Sequence, residues 1–344
     1  MFVYLGIYSC LALSAVGNYR RPHAIFFLFS GIFLVWFMGF RYEVGCDYLG
    51  YFNRWLNFNS ELKLVNLFQG EEFGFALIMG SIKASGLGYT WLNVAASAIL
   101  VVCYVRFSRD HPFAPLILTL LFPVVIIQFG MSGLRQALAG GFLMLAFNAF
   151  GQKKKIRTAA WILLGMQFHT SVIIFLPIAF LAGKDFNTLR IFLAMLILGP
   201  ITALLLAGRF DTYESRYIEN TVTSSGAVIR YVLTILPVPF FIIHRHKLKA
   251  IFPEIFPLLK LSSLIILSLA PLIMISTIAL HRLIFYIMPL SIILCVYLAT
   301  VMSKKISQAQ WFPVIAYGAY SIAWFISSKH AQACYVPYGN TWIS

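Results

Sequence analysis

The residues best suited to chemistry are arginines at the ends of apolar runs: Arg41, Arg135, Arg230 and Arg282. An ionised group at the edge of a membrane helix is costly unless it is paired or faces a polar cavity. Guanidinium stays charged, and its planar fork meets phosphate oxygens two at a time, so several such groups suit a phosphate or pyrophosphate headgroup. The competing reading is that each arginine snorkels to the interface as a helix anchor.

Candidates for proton transfer lie in the same parts of the chain. In Arg41-Tyr42-Glu43-Val44-Gly45-Cys46-Asp47-Tyr48, followed by Tyr51, Gly45 lets the chain turn sharply and bring Asp47 back toward Arg41. A carboxylate beside an arginine stays ionised and could take a proton from a hydroxyl, orient the arginine, or simply stiffen the loop as a salt bridge. In Gln167-Phe168-His169-Thr170-Ser171, His169 falls in a predicted helix break. A histidine can accept and release a proton near neutrality, although a hydrogen-bonded structural role is equally open. Glu71-Glu72 opens a short apolar segment, where carboxylates complement the helix dipole, and Glu72 is the reserve base. Arg135-Gln136 begins a helix after the turn Gly130-Met131-Ser132-Gly133, a place where backbone N–H groups favour an anion. Arg282 and Tyr286 lie four apart on one helical face.

These residues must be positioned by membrane helices. Apolar residues make up 60% of the 344 and charged ones only 11%, too much hydrocarbon for a soluble fold to hide. The net charge of +15 comes from short basic clusters between apolar runs rather than from one aromatic-interleaved face, which argues against nucleic acid. The runs lie near 1–16, 24–40, 91–105, 113–129, 136–150, 158–168, 171–183, 189–207, 227–243, 258–280, 283–302 and 310–327. They predict an all-α integral membrane protein, a polytopic bundle of about 12 transmembrane helices. Met1 to Val16 lacks the layout of a signal peptide and is expected to stay as a helix.

Clusters at Arg20-Arg21, Arg106/Arg109, Lys153-Lys154-Lys155, Lys184, His244–Lys249 and Lys304-Lys305 mark cytoplasmic turns. They alternate correctly if Ile156–Gly183 is two short helices meeting at His169, and if Phe73–Ile82 is a re-entrant or interfacial segment on the outer side. The reading is a single polytopic membrane domain, 1–344, with external loops 41–90 and 208–226 shaping a site. Cys10, Cys46, Cys103, Cys295 and Cys334 show no CxxC or His-paired spacing, so neither a metal site nor a disulfide framework is expected.

Taken in order, Arg41…Gly45-Cys46-Asp47-Tyr48…Tyr51, Glu72-Phe73-Gly74-Phe75, Leu134-Arg135-Gln136-Ala137-Leu138-Ala139, Phe168-His169-Thr170-Ser171 and Pro337-Tyr338 form a set. The set resembles the EpsG-like branch of Wzy-type polysaccharide polymerases, with Cys46 where family members often carry a small or hydroxyl residue. The resemblance implies a glycosyltransferase C-like fold in the bacterial cytoplasmic membrane. It also implies polymerisation of undecaprenyl-pyrophosphate-linked oligosaccharides into a surface polysaccharide on the outer face. An O-antigen ligase and a lipid-linked glycan transporter or flippase are the alternatives. The expected partners are the lipid-linked glycans, membrane lipid, a chain-length regulator and a flippase, with no nucleic acid. On this reading Arg41, Arg135, Arg230 and Arg282 hold pyrophosphate, while Gln136, Tyr51, Tyr286 and Tyr338 orient sugar or phosphate. Asp47 or His169 takes the acceptor proton, with Glu72 next in line. No cofactor is expected, because arginines supply the positive charge that a metal ion supplies elsewhere.

Overall fold

The computed structural model describes residues 1–16, 24–58, 72–183, 225–302 and 306–342. The expected span 189–207, nearly all of the loop 208–226 and residues 59–71 of the loop 41–90 lie outside the described residues. So do Arg20-Arg21, Lys184 and Lys304-Lys305.

Helices dominate what is described, as hydrocarbon requires, since a helix satisfies its own backbone polar groups. In chain order they begin with α1 (Phe2–Ala15), α2 (Ala24–Gly39), α3 (Tyr48–Asn57), α4 (Phe73–Ala84), α5 (Tyr89–Arg109), α6 (Ala114–Leu121) and α7 (Leu134–Gly151). They continue with α8 (Lys155–Met166), α9 (Leu176–Leu181), α10 (Ser225–Ile235), α11 (Pro237–Ile251), α12 (Phe256–Ser268), α13 (Leu272–Ile275), α14 (Thr277–Met302), α15 (Ile306–Ser327) and α16 (Lys329–Tyr335). Among the described residues, four stretches are long and apolar enough to cross a membrane: Tyr89–Arg109, Gly226–Ile251, Phe256–Ile275 and Thr277–Met302. Several shorter apolar helices accompany them. The outward face of α2 is apolar, with Ile25, Phe29 and Ile32 all more than 60% exposed. That is the surface of a protein solvated by lipid.

The chain forms two compact units. The first comprises Met1–Phe142, Leu164–Thr170 and Val314–Ser344. Within it α2 packs along α5, and α1 packs on α6. After α6 the helix widens into π-type turns over Phe122–Gly130, where Pro123 lacks the N–H that a regular ladder would use. A two-residue antiparallel ladder, β1 (Arg41–Tyr42) with β2 (Gly339–Asn340), sets Arg41 opposite Asn340. The all-helical expectation lacked this ladder. It arises because the chain leaving α2 is extended and finds a second extended stretch, and the Thr341 N–H donates to the Phe40 carbonyl at 2.8 Å beside it.

Cys46 and Cys334 are joined in a disulfide, Cα–Cα 4.9 Å, which corrects the expectation of none. The partners are 288 positions apart, so no local spacing could reveal them.

The second unit comprises Leu143–Leu163 and Ser171–Pro313. Its centre is α14, against which α10, α11, α12 and α13 all pack.

The segment after Lys153 breaks where the sequence predicts. Helix α8 has only 12 residues, about 18 Å, too short for a span of about 30 Å. A turn at Gln167–His169 follows, then a 3₁₀ stretch, Thr170–Phe175, and α9. At its far end Gly183 adopts φ +92°, and a Cβ there would lie 3.3 Å from the Lys153 carbonyl. The segment therefore returns to where it began.

Candidate functional site

In the first unit the site is assembled from the loop after α2. Arg41, only 1% exposed, donates to the carbonyls of Met38 and Val44 and to Asn93 Oδ1. Those bonds satisfy the orphan C-terminal carbonyls of α2 and hold the following turn. Tyr338 does similar work: it stacks on Phe37 with ring centroids 4.6 Å apart and donates to the Phe37 carbonyl at 2.7 Å. The structure thus places these two expected headgroup ligands inside the packing around the end of α2.

Gly45 has φ +104°, and a Cβ there would lie 2.0 Å from the Met131 carbonyl, so only glycine fits. The Gly45 N–H donates to the Cys334 carbonyl at 2.7 Å, beside the disulfide. With the loop pinned twice, the exposed Asp47 stands at the start of α3. One carboxylate oxygen lies 3.9 Å from where a Cβ on Gly133 would be, over the turn that feeds α7. A carboxylate is favoured there by the positive end of the helix dipole.

The buried face of α3 carries Tyr48, Tyr51 and Trp55. The Tyr51 hydroxyl oxygen accepts the backbone N–H of Arg135 at 3.2 Å, in the first turn of α7. Burial pushes the Tyr51 phenol above its usual pKa, and the nearby Arg135 charge opposes that shift. The phenol therefore stays protonated, leaving its own O–H available to donate.

Arg135 pairs with Glu72 at 2.7 Å, the carboxylate side chain being 3% exposed and the arginine 18%. Glu72 immediately precedes α4, which is docked by the Gly74 N–H donating to the Gln167 carbonyl at 2.7 Å. Phe168 stacks on Phe142, two turns beyond Arg135 on α7, with centroids 5.3 Å apart. The expected residues Asp47, Tyr51, Glu72, Arg135 and Gln136, together with the turn that carries His169, therefore belong to one cluster.

In the second unit Arg230 on α10 donates to His281 Nδ1 at 2.5 Å and lies 5.1 Å over the Phe285 ring. Guanidinium has no acceptor, so His281 takes this bond on an unprotonated Nδ1 and carries its proton on Nε2. The His281 ring meets the edge of Phe285 at 5.1 Å, one helical turn along α14. The Ser291 hydroxyl donates to the Thr234 carbonyl at 2.8 Å, locking α10 to α14. Tyr286 is buried, and its hydroxyl shares a 2.8 Å hydrogen bond with Ser171. Arg282 follows His281 at the same half-exposed end of α14. The sequence reading missed His281. Its spacing of four to Phe285, and its place beside Arg282, are the signals that could have found it.

The EpsG family model matches residues 24–340, almost the whole described chain. The chain belongs to the EpsG family. Membership places it in exopolysaccharide biosynthesis. No curated protein and no solved structure matches it. The EpsG match begins at α2 and ends at β2, so it takes in both arginine clusters and the disulfide.

Cys46, His330 and Cys334 of this EpsG chain bring potential ligand atoms within 4.8 Å of one another. Because the two sulfurs are bonded to each other, neither is the thiolate that a metal would need. Disulfides of this kind persist in oxidising compartments.

Proposed function

We propose that this chain polymerises oligosaccharide repeat units carried on lipid pyrophosphate, at the outer face of the cytoplasmic membrane. The observation that carries the reading is the Arg135 cluster. A guanidinium held by a buried carboxylate stands at a helix N-terminus, with the exposed Asp47 carboxylate over the turn that opens that helix. A guanidinium fixed in direction, with a carboxylate base close by, suits transfer from a pyrophosphate leaving group.

The donor is the growing glycan on its lipid pyrophosphate, and the acceptor is a hydroxyl of an incoming repeat unit. The bond between the donor's anomeric carbon and the pyrophosphate oxygen breaks, and a bond from the acceptor oxygen to that carbon forms. The acceptor proton passes to Asp47, with His169 the alternative base, and lipid pyrophosphate departs as an anion. Arg135, aimed by Glu72, donates hydrogen bonds to that anion at the positive end of the α7 dipole. Glu72, buried and paired, serves as the residue that aims Arg135. Gln136 and the Tyr51 hydroxyl orient sugar or phosphate oxygens. In the second unit, Arg282 and the His281-held Arg230 form a separate cationic cluster suited to a phosphate, and Tyr286 positions the Ser171 turn. Arg41 and Tyr338 act through the loop they hold.

Surface glycan from cells carrying Arg135→Ala tests the reading. Collapse of the long chains to single repeat units, with the variant present in the membrane at normal level, is expected. Normal chain length would overturn the proposal, and loss of all surface glycan would point to transport instead.

A further inference from the structure

Helix α3 has three faces rather than two. Tyr48, Tyr51 and Trp55 are buried in the protein. Gly50, Asn53, Arg54 and Asn57 form an exposed polar face. Between them runs an exposed apolar stripe: Leu49 (61%), Phe52 (36%) and Leu56 (59%), at i, i+3 and i+7. In water such a stripe is a liability, whereas a helix lying in a membrane interface needs one apolar face beside one polar face.

The surroundings of α3 indicate what covers the stripe. Its packing partner is Tyr89, the first residue of the membrane-length helix α5, which touches the rings of Tyr48, Phe52 and Trp55. The stripe therefore starts at the very end of a membrane span, where hydrocarbon gives way to headgroups. Trp91, also exposed at this end of α5, is a residue type that favours that depth. The Lys83 ammonium fixes the far end of α3, donating to the carbonyls of Trp55 and Phe58.

We propose that α3 is an interfacial helix whose Leu49, Phe52 and Leu56 side chains insert among the acyl chains of the adjacent leaflet. Asn53, Arg54 and Asn57 then face water and headgroups. The site residues Asp47 and Tyr51, carried by the same helix, are thereby held at headgroup depth. The inference stands on packing and exposure and does not depend on the reaction assigned above.

The test uses the full chain with Cys10, Cys103 and Cys295 replaced by Ala and the native disulfide kept, reconstituted in phosphatidylethanolamine–phosphatidylglycerol vesicles. Single Leu49→Cys, Phe52→Cys, Leu56→Cys, Asn53→Cys and Asn57→Cys variants carry a nitroxide. Relaxation by oxygen, which concentrates in acyl chains, is compared with relaxation by a water-soluble nickel chelate. Trp91→Cys is the reference for lipid exposure. Oxygen dominating at 49, 52 and 56 and the chelate dominating at 53 and 57 is the expected pattern. Chelate dominance at all five positions would place the stripe in water, and protection from both reagents at 49, 52 and 56 would mean that protein covers it. Either result overturns the proposal.

Discussion

The two arginine clusters solve one electrostatic problem in opposite ways. Arg135 is matched by the Glu72 carboxylate, so the pair is close to neutral and the guanidinium is fixed in direction. Arg230 is held by an imidazole nitrogen and lies over a phenyl face. A carboxylate fixes a guanidinium by charge as well as by hydrogen bond, whereas an imidazole nitrogen fixes it by hydrogen bond alone.

Removing the aimed guanidinium should have the largest effect. Arg135→Ala is expected to lower polymer formation by about a hundredfold or more, the scale for loss of a preorganised charge stabiliser. Arg135→Lys should recover little of it, since a point charge cannot reproduce the fork held by Glu72 and the phosphate together. A fully active lysine variant in an assay with lipid-linked repeat units would break the distinction between the two ways of fixing a guanidinium. Glu72→Gln comes next. It keeps the shape but releases the charge, and a loss of about tenfold is expected, read as a fall in kcat with KM little changed. A rise in KM alone would mean that Glu72 contacts substrate instead of Arg135.

The histidine side of the comparison predicts a smaller effect. His281→Leu removes the Nδ1 acceptor that holds Arg230, and a rise in KM of about fivefold to tenfold with kcat little changed is expected. An unchanged KM would mean that Arg230 is positioned without His281. The smallest effect is expected from Phe285→Leu, which removes the ring under Arg230 at nearly constant apolar volume. A cation–π contact is worth about 0.5–1 kcal/mol, so KM should rise by less than about fivefold.

Legibility followed sequence distance. The sharp turn at Gly45, the start of a helix at Arg135 and the break near His169 could all be read, because each depends on a few neighbouring residues. Arg41 could be placed at the end of its apolar helix, but its partner Asn93 lies 52 positions away, so its burial could not be foreseen. The same distance hid the arginine that binds His281, 51 positions earlier, and the cysteine that pairs with Cys46. Glu72 was weighed as a base or a dipole partner, and only folding showed Arg135 against it, 63 positions along the chain. The short ladder of Arg41–Tyr42 with Gly339–Asn340 has no periodic signature, since two residues cannot establish an alternation.

The return of Gly183 to Lys153 has a consequence for how such a chain can evolve. A stretch that departs and comes back on one side can be lengthened in both limbs without inverting anything downstream. One extra helical turn in each limb would shift the apex bearing His169 by about 5 Å while leaving the orientation of every later segment intact. Reach can thus be tuned separately from topology.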